Sequence, residues 1–463
     1  MLIRNLSSLD GTRFDMRFEQ RIQAIAPTLE PQTNESWFDA AGRLALPGLH
    51  DHHCHFLAYA ASLASVDCAG AAHEQQAALL DHLHAALPKH PGGLRAIGYH
   101  EGSESLLDRH ILNRVSAEVP IRVQHRTGRL WIYNDAAIAQ LEQRPPDSAE
   151  RDDRGELTGR FFHMDDWLRE HFPKPLPDVA HASQKLAAYG ITGLTDAGPD
   201  NDNGTAALFQ DLQEEGRLSQ RITLMGCADL QFTSTDFLRQ GPCKIYLKES
   251  ALPDLEGLCA LIAQQHQRQR AVAFHCVTAA ELHFALAALT DVGALPTDRI
   301  EHASLCDDDA LAIIKDLGIS VVSQPIFIAE RGDRYRASFS DDDQQLLYRA
   351  RSFLDSGIPF AASSDAPFGN ANPWQCMRAA AYRKTPSGIT LNAAESLTPD
   401  MALQMYLGEP SDPGRCQRQL GPGEAADFVV LSQRSFGLDT LPEVFQTYID
   451  GHCVFTSDND SVI

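Results

Sequence analysis

From about residue 180 onward, short runs of apolar and β-branched residues alternate with longer stretches whose apolar positions recur at helical spacing. That alternation predicts repeated βα units with a parallel sheet, because each strand needs a crossover before the chain can run in the same direction again. Seven strands are predicted: ITGLTDA from Ile191, RITLMGC from Arg221, CKIYLKE from Cys243, AVAFHC from Ala271, RIEHAS from Arg299, ISVVSQP from Ile319 and IPFAASSD from Ile358. Helix-like stretches lie between them, such as DDDALAIIKDLG, where Asp307 is placed to cap the first turn and Gly318 to take the left-handed position after the last. Gly190, Gly216 and Gly357 punctuate the pattern in the same way. The run LALPGLHDHHCHF from Leu44 brings the count to eight, the number that closes a (β/α)8 TIM barrel with its chemistry at the C-terminal strand ends.

Two regions break this rhythm. Residues 1–46 and 418–463 contain short β-type runs (RFEQRIQAIAP, ADFVVLS, TYIDGHCVF) and predict one small β-sandwich domain formed by both chain ends, flanking a barrel over 47–417. Residues from about 57 to 180, after the first strand, are far too many for one connection and carry strand-like runs of their own, LRAIGYH and PIRVQHR. They predict an inserted subdomain over the barrel mouth, where a substrate-recognising element belongs.

Composition narrows the class. The 463 residues are 43% hydrophobic and 22% charged, which fits a packed globular chain and excludes a disordered or collagen-like one. Lys and Arg number 39 against 62 Asp and Glu, and the formal charge of −23 repels nucleic acid and anionic membrane surfaces. No apolar run approaches the roughly 20 residues of a membrane span, and the first residues lack the pattern of a secretory signal. Ten cysteines form no C-x-x-C pair and several stand in apolar runs, as expected of reduced thiols in a cytoplasm. A small-molecule substrate is the expected partner, and a homo-oligomer is compatible with the chain.

The densest chemistry lies in PGLHDHHCH. His53 and His55 are two apart at a strand end and point to one side, where two imidazoles can hold a divalent metal. A His-x-His pair by itself fits a surface or satisfied core position equally well, so other ligands decide. Lys244 is in the fourth predicted strand, His275 near the end of the fifth, His302 near the end of the sixth and Asp365 at the end of the eighth. Barrel geometry aims all of these at one point. By the same alternation His50, His52 and Cys54 point the other way. Lys244 also admits an ordinary role, paired with a carboxylate inside the barrel; Lys248 is an alternative on the same face; and Asp365 in SSDAP also suits the cap of a following turn.

These residues match a known family. PGLHDHHCH resembles the PG-x-x-D-x-H-x-H motif of the amidohydrolase superfamily, and GITGLTDAG, CKIYLKE, AVAFHCVTAAEL, RIEHASL and GIPFAASSDAPFGNANPW resemble its branch containing N-substituted formamide deformylases. LGPGEAADFVVL resembles the stretch where such chains re-enter their β-sandwich. The resemblance implies a metal-dependent hydrolase of C–N bonds with two divalent metal ions, most often zinc, although His and carboxylate ligands also suit manganese, iron, cobalt or nickel. His53 and His55 would bind the more buried ion and His275 and His302 the second. Lys244, carboxylated by carbon dioxide, would bridge both as a carbamate. Asp365 would bind metal, orient the metal-activated hydroxide, accept its proton and pass it to the leaving amine. Asp51 would support the ligands from behind. Lys248 stands where relatives usually carry Asp.

VQHRTGRLWIYND resembles a family stretch that reaches the pocket with a Gly-His pair, and here the corresponding residue is Arg129. His125, Arg126, Arg129 and Trp131 are candidates for an anionic or planar substrate group, and His100, Glu101 and His163 for lining the mouth, with a plain structural role as the alternative for each. Gln324 can reach substrate from the seventh strand, or else satisfy the core as a buried amide. The substrates expected are amides, N-formyl or N-acyl amines and cyclic amides. Two rival readings remain: a mononuclear hydrolytic deaminase of an amino-substituted ring, against which Lys244 argues, and a non-catalytic barrel scaffold, against which the full ligand set argues.

Overall fold

The computed structural model describes residues 1–68, 75–100, 106–126, 128–172 and 176–457. The chain divides into two compact units, Met1–Tyr59 with Ala180–Ile463, and Ala60–Val179. The larger unit is built on eight parallel strands: β1 (Leu49–Cys54), β2 (Ile191–Asp196), β3 (Arg221–Gly226), β4 (Leu238–Tyr246), β5 (Val272–Cys276), β6 (Arg299–His302), β7 (Ser320–Ser323) and β8 (Phe360–Ala362). They are hydrogen-bonded in chain order, as in a TIM barrel. β6, β7 and β8 are buried at every position. Strands covered inside by side chains and outside by helices have no solvated face to alternate with, hence the continuous apolar runs in the sequence. Phe274, Ile300 and Val321 are fully buried, and burying such a side chain contributes roughly 1.5–3 kcal/mol.

Helix ends follow the expected chemistry. The helix Asp308–Leu317 starts with the Asp307 carboxylate accepting from the Ala310 N–H at 2.7 Å and stops at Gly318, whose φ of 65° is left-handed. The largest shift from an expected strand start is at β4, which begins at Leu238 rather than Cys243. The turn-like QGP at 240–242 is carried by an irregularity in the ladder: Leu238 to Gln240 pair with Ile222 to Leu224, the register then shifts, and Cys243 pairs with Gly226. A Cβ at Gly241 would press on the Leu224 backbone at 3.2 Å, so the missing side chain lets the strands approach.

β8 and β1 are the sheet edges, and the chain beyond β8 turns back across the seam. The Asp365 N–H donates to the His53 carbonyl at 2.9 Å, and the His55 N–H to the Ala366 carbonyl at 2.8 Å. These two bonds place the residues after β8 beside the end of β1.

Both chain ends build two four-stranded sheets. Leu2–Ser7, Arg13–Phe18, Ile22–Ala26 and Trp37–Asp39 form one; Ala45–Pro47, Phe428–Leu431, Val444–Ile449 and His452–Thr456 form the other. Ile3, Met16 and Phe18 of the first share one core with Phe428, Val430 and Tyr448 of the second. Arg221 at the start of β3 binds Asp427 and Asp450 of this region, at 2.5 and 3.1 Å.

The unit Ala60–Val179 contains a five-stranded sheet ordered Arg160–Phe162, Leu130–Tyr133, Ile121–His125, Leu94–Tyr99, Val66–Asp67. Leu79 and Leu83 from the helix Gln76–Ala86 pack in one buried cluster with Ile121 and Val123. Among the described residues no helix is long and apolar enough to cross a membrane.

Candidate active site

Parallel strands all end on one face, so residues distant in sequence meet there. His53 and His55 have ring centroids 5.5 Å apart. Their Nε2 atoms are 3.5 and 3.4 Å from one Asp365 oxygen, and ligand atoms of the three residues lie within 4.8 Å of one another. The His302 ring is 4.9 Å from that of His53 and 4.5 Å from that of His275. Lys244 joins from β4, two residues before Tyr246, which pairs in register with His275. The structure therefore brings together all six residues singled out as ligands. Lys248, the alternative lysine, is exposed, whereas Lys244 is buried.

Burial sets the charge states. Burial first, then the Lys244 ammonium, hold the His53 pKa down at about 3. His275 is pushed down by burial and by the neighbouring His302 and Lys244, and His302 by burial. Neutral imidazoles are the form that ligates metal. Burial also lowers Lys244 to about 8, which raises its share of free amine. Burial alone would raise Asp365, but the contacts with His55, His53 and His302 outweigh it and keep the carboxylate ionised.

Backbone geometry at these strand ends is unusual. His302, Ala303 and Asp365 have φ values of 70°, 44° and 53°. Left-handed conformations cost about 1–3 kcal/mol for residues with a side chain and need support from their surroundings. The Ser323 hydroxyl donates to the His302 carbonyl at 2.6 Å. Asp51 accepts from the Ser364 N–H at 3.0 Å and the Ser364 hydroxyl at 2.5 Å, while Ser364 Oγ accepts from the Ala366 N–H at 2.9 Å. Asp51 thus anchors the turn that presents Asp365, and burial raises its own pKa to about 6.

Glu301 was not singled out in the sequence, yet it is central. Fully buried, its carboxylate accepts from His53 Nδ1 at 2.5 Å and from Arg299 Nε and Nη2 at 2.5 and 3.0 Å. With Nδ1–H committed, His53 presents Nε2 as its free acceptor. The one available signal was an acidic residue beside a candidate ligand on the same strand.

Gln324 was given two roles, a substrate contact or a buried amide. Its side chain is fully buried, with Oε1 2.7 Å from His302 Nδ1 and Nε2 donating to Ser363 Oγ at 2.9 Å. Ser363 Oγ itself donates to the Ser323 carbonyl, so it accepts from Gln324 Nε2 and leaves Oε1 for the imidazole. Both ends of the amide are thus occupied, one of them by His302. His50 and His52 face each other, ring centroids 4.7 Å apart, with His50 Nε2 2.9 Å from Thr195 Oγ1.

His100, Arg129 and Trp131 belong to the other unit. There His100 is half-buried after the strand Leu94–Tyr99, the Arg129 carbonyl accepts from the His163 N–H at 2.8 Å, and the Arg95 guanidinium is 5.4 Å from the centre of the Trp131 ring. The His125 ring is 5.9 Å from that of Tyr99, and the Arg126 N–H donates to the Tyr99 carbonyl at 2.6 Å. Glu101 lies outside the described residues. The cluster at the barrel strand ends is assembled from the larger unit alone.

The family model described as "Amidohydrolase family" matches residues 37–455. N-substituted formamide deformylase from Arthrobacter pascens is 23% identical over 89% of this chain and 88% of its own length. An uncharacterized metal-dependent hydrolase from Pyrococcus horikoshii has the same fold, with a TM-score of 0.77 at 19% identity over 98% of this chain and 99% of that one. N-isopropylammelide isopropylaminohydrolase from Burkholderia multivorans superposes with a TM-score of 0.55 at 15% identity, over 98% of this chain and 97% of that one.

Proposed function

Because the chain belongs to the amidohydrolase family, we propose that it is a metal-dependent hydrolase that cleaves a C–N bond of a small molecule at a binuclear centre. The bond is that of an amide, an N-formyl or N-acyl amine, or a cyclic amide. The relative that acts on N-substituted formamides supports this substrate class.

One observation carries the reading. Lys244 Nζ and Asp365 Oδ1 are buried without a hydrogen-bond partner among the described residues, in the midst of four imidazoles. Buried charges left unpaired cost several kcal/mol. Separations of 3.4 and 3.5 Å between Asp365 Oδ1 and two imidazole nitrogens suit ligands around a shared cation better than a direct hydrogen bond. The donor set fits two divalent ions such as zinc: His53, His55 and Asp365 would hold one and His275 and His302 the other. Lys244 would bridge them once its free amine has added carbon dioxide, losing a proton to become an anionic carbamate with two oxygens. Bound metal supplies positive charge that polarises a carbonyl and makes water acidic enough to attack near neutral pH.

This chain's own groups handle orientation and protons. Asp365, held beside His53 by its backbone bond, accepts a proton from the attacking water and returns it to the departing nitrogen. Glu301 and Gln324 fix the His53 and His302 rings.

Metal per chain, measured by inductively coupled plasma mass spectrometry, tests the reading. The protein is expressed with zinc and bicarbonate and purified without chelator, as wild type and Lys244→Ala. Two metals in wild type, falling in the variant, are expected. One metal, indifferent to the substitution, would replace the bridged centre with a mononuclear deaminase; none after reconstitution would leave a non-catalytic barrel.

A further inference from the structure

At the opposite end of the barrel, a cavity of about 370 Å³ opens among the N-terminal ends of β3 to β6. Arg239, Arg268, Arg270 and Arg299 line it together with the hydroxyl-bearing Thr297 and Ser411, and no carboxylate does. Four guanidinium groups around one cavity are unexpected in a chain whose formal charge is −23. Of the carboxylates adjacent in sequence, Asp298 is engaged with His266 at 3.0 Å and Asp412 with Arg415 at 3.1 Å, while Glu301 pairs with one of the four arginines, Arg299, at 2.5 Å.

The arginines differ in how they are satisfied. Arg270 is buried, and its donors go to neutral acceptors, including the carbonyls of Gly241, Cys227 and Pro242 at 3.1, 2.8 and 3.2 Å. Arg268 donates to the Ala228 carbonyl at 3.1 Å. Arg239 is exposed, paired with Thr223 through its backbone, and its guanidinium makes no hydrogen bond or ion pair with a described residue. Three cations therefore share one wall with no ion pair to a described residue, Arg239 standing also at the border of a second cavity that Asp236, Asp427 and Asp450 line. Their mutual repulsion is tolerable in water but is relieved by an anion, and a concave low-dielectric wall concentrates their field. Guanidinium forks with hydroxyls beside them match the oxygens of a phosphate or carboxylate.

We propose that this cavity is a binding site for a small multivalent oxyanion, a phosphate or a dicarboxylate, distinct from the metal centre. A physical connection to that centre exists. Arg299 lines the cavity and also holds Glu301, which holds His53. An anion that draws on Arg299 changes its hold on Glu301, and through it the ring of a metal-binding histidine.

The test uses the metal-loaded full chain and two probes, inorganic phosphate and malonate, titrated by isothermal calorimetry at constant ionic strength. Wild type is compared with the double variant Arg239→Gln/Arg268→Gln, both positions being exposed and outside the metal centre. Saturable binding of either probe, weakened at least tenfold in the variant with basal hydrolysis unchanged, is expected; the tighter probe identifies the oxyanion class. Equal affinity in both proteins would place the anion at the metal centre and overturn the proposal. So would the absence of saturable binding to either probe.

Discussion

Replacing Glu301 by Gln isolates the carboxylate that stands behind His53. The side chain keeps its shape but loses its charge, and one of its two acceptors becomes a donor facing Arg299 or His53. In the native structure the two oxygens take three donors: His53 Nδ1 at 2.5 Å and Arg299 Nε and Nη2 at 2.5 and 3.0 Å, with both partner side chains about 1% exposed. Arg299 retains only the His52 carbonyl, at 2.6 Å, as a strong acceptor. Breaking a buried pair by removing one charge costs about 3–5 kcal/mol, and the amide's remaining acceptor puts Glu301→Gln near the lower end, about 3 kcal/mol. The His53 ring also loses its charged orienting partner, for which a 10- to 100-fold loss of metal affinity, about 1.4–2.8 kcal/mol, is the usual scale. Two assays separate these effects. Denaturant unfolding of the metal-free chain reads the first, and competition with a chromophoric chelator reads the second. If Glu301→Gln unfolds at lower denaturant yet binds metal as tightly as wild type, Glu301 serves only to neutralise Arg299 and the orienting argument is refuted.

Gln324→Leu separates its two possible roles: the His302 contact predicts roughly tenfold weaker metal binding, whereas a substrate contact would raise KM at unchanged metal affinity. Acid stability should depend on Glu35, whose carboxyl is held down at about 2, against an ordinary 4.5, by hydrogen bonds from Arg17. A depressed carboxyl stabilises the fold above its unfolded value and loses that contribution as pH falls toward the folded one. Denaturation midpoints should therefore fall between pH 4.5 and 2 in wild type more steeply than in Glu35→Gln, and parallel curves would contradict it. Gly318→Ala should destabilise by about 1 kcal/mol, because φ is 65° there while the new methyl meets nothing within 4 Å; an unchanged unfolding midpoint would show that the helix end relaxes freely.

The barrel was legible because its strands are buried on both sides and its helices carry their own stop signals. Runs such as SVVS and FAA need no tertiary information to be read as interior strands, and Asp307 and Gly318 mark a helix through bonds made within one segment. The gathering of the candidate ligands was legible for a related reason: two-residue alternation puts His53 and His55 on one side, and parallel strands bring His275, His302 and Asp365 to the same end. The start of β4 was placed too late because Gly241 and Pro242 carry turn propensity, and the ladder with β3 continues beyond them through a register shift.

Sequence alone determined which residue types face the barrel mouth, since strand period and chain order are local properties. Only the tertiary structure decided which groups stand behind them. Glu301 meets His53 across 248 positions of sequence, and Asp51 meets Ser364 across 313. Gln324 meets His302 across 22 positions and Ser363 across 39, contacts that neither of its two sequence readings named. Burial, which no spacing records, likewise separates Lys244 from the exposed Lys248. Hydrogen-bond partners and desolvation depend on what the closed barrel packs together, and the closure is made by the whole chain rather than by any segment of it.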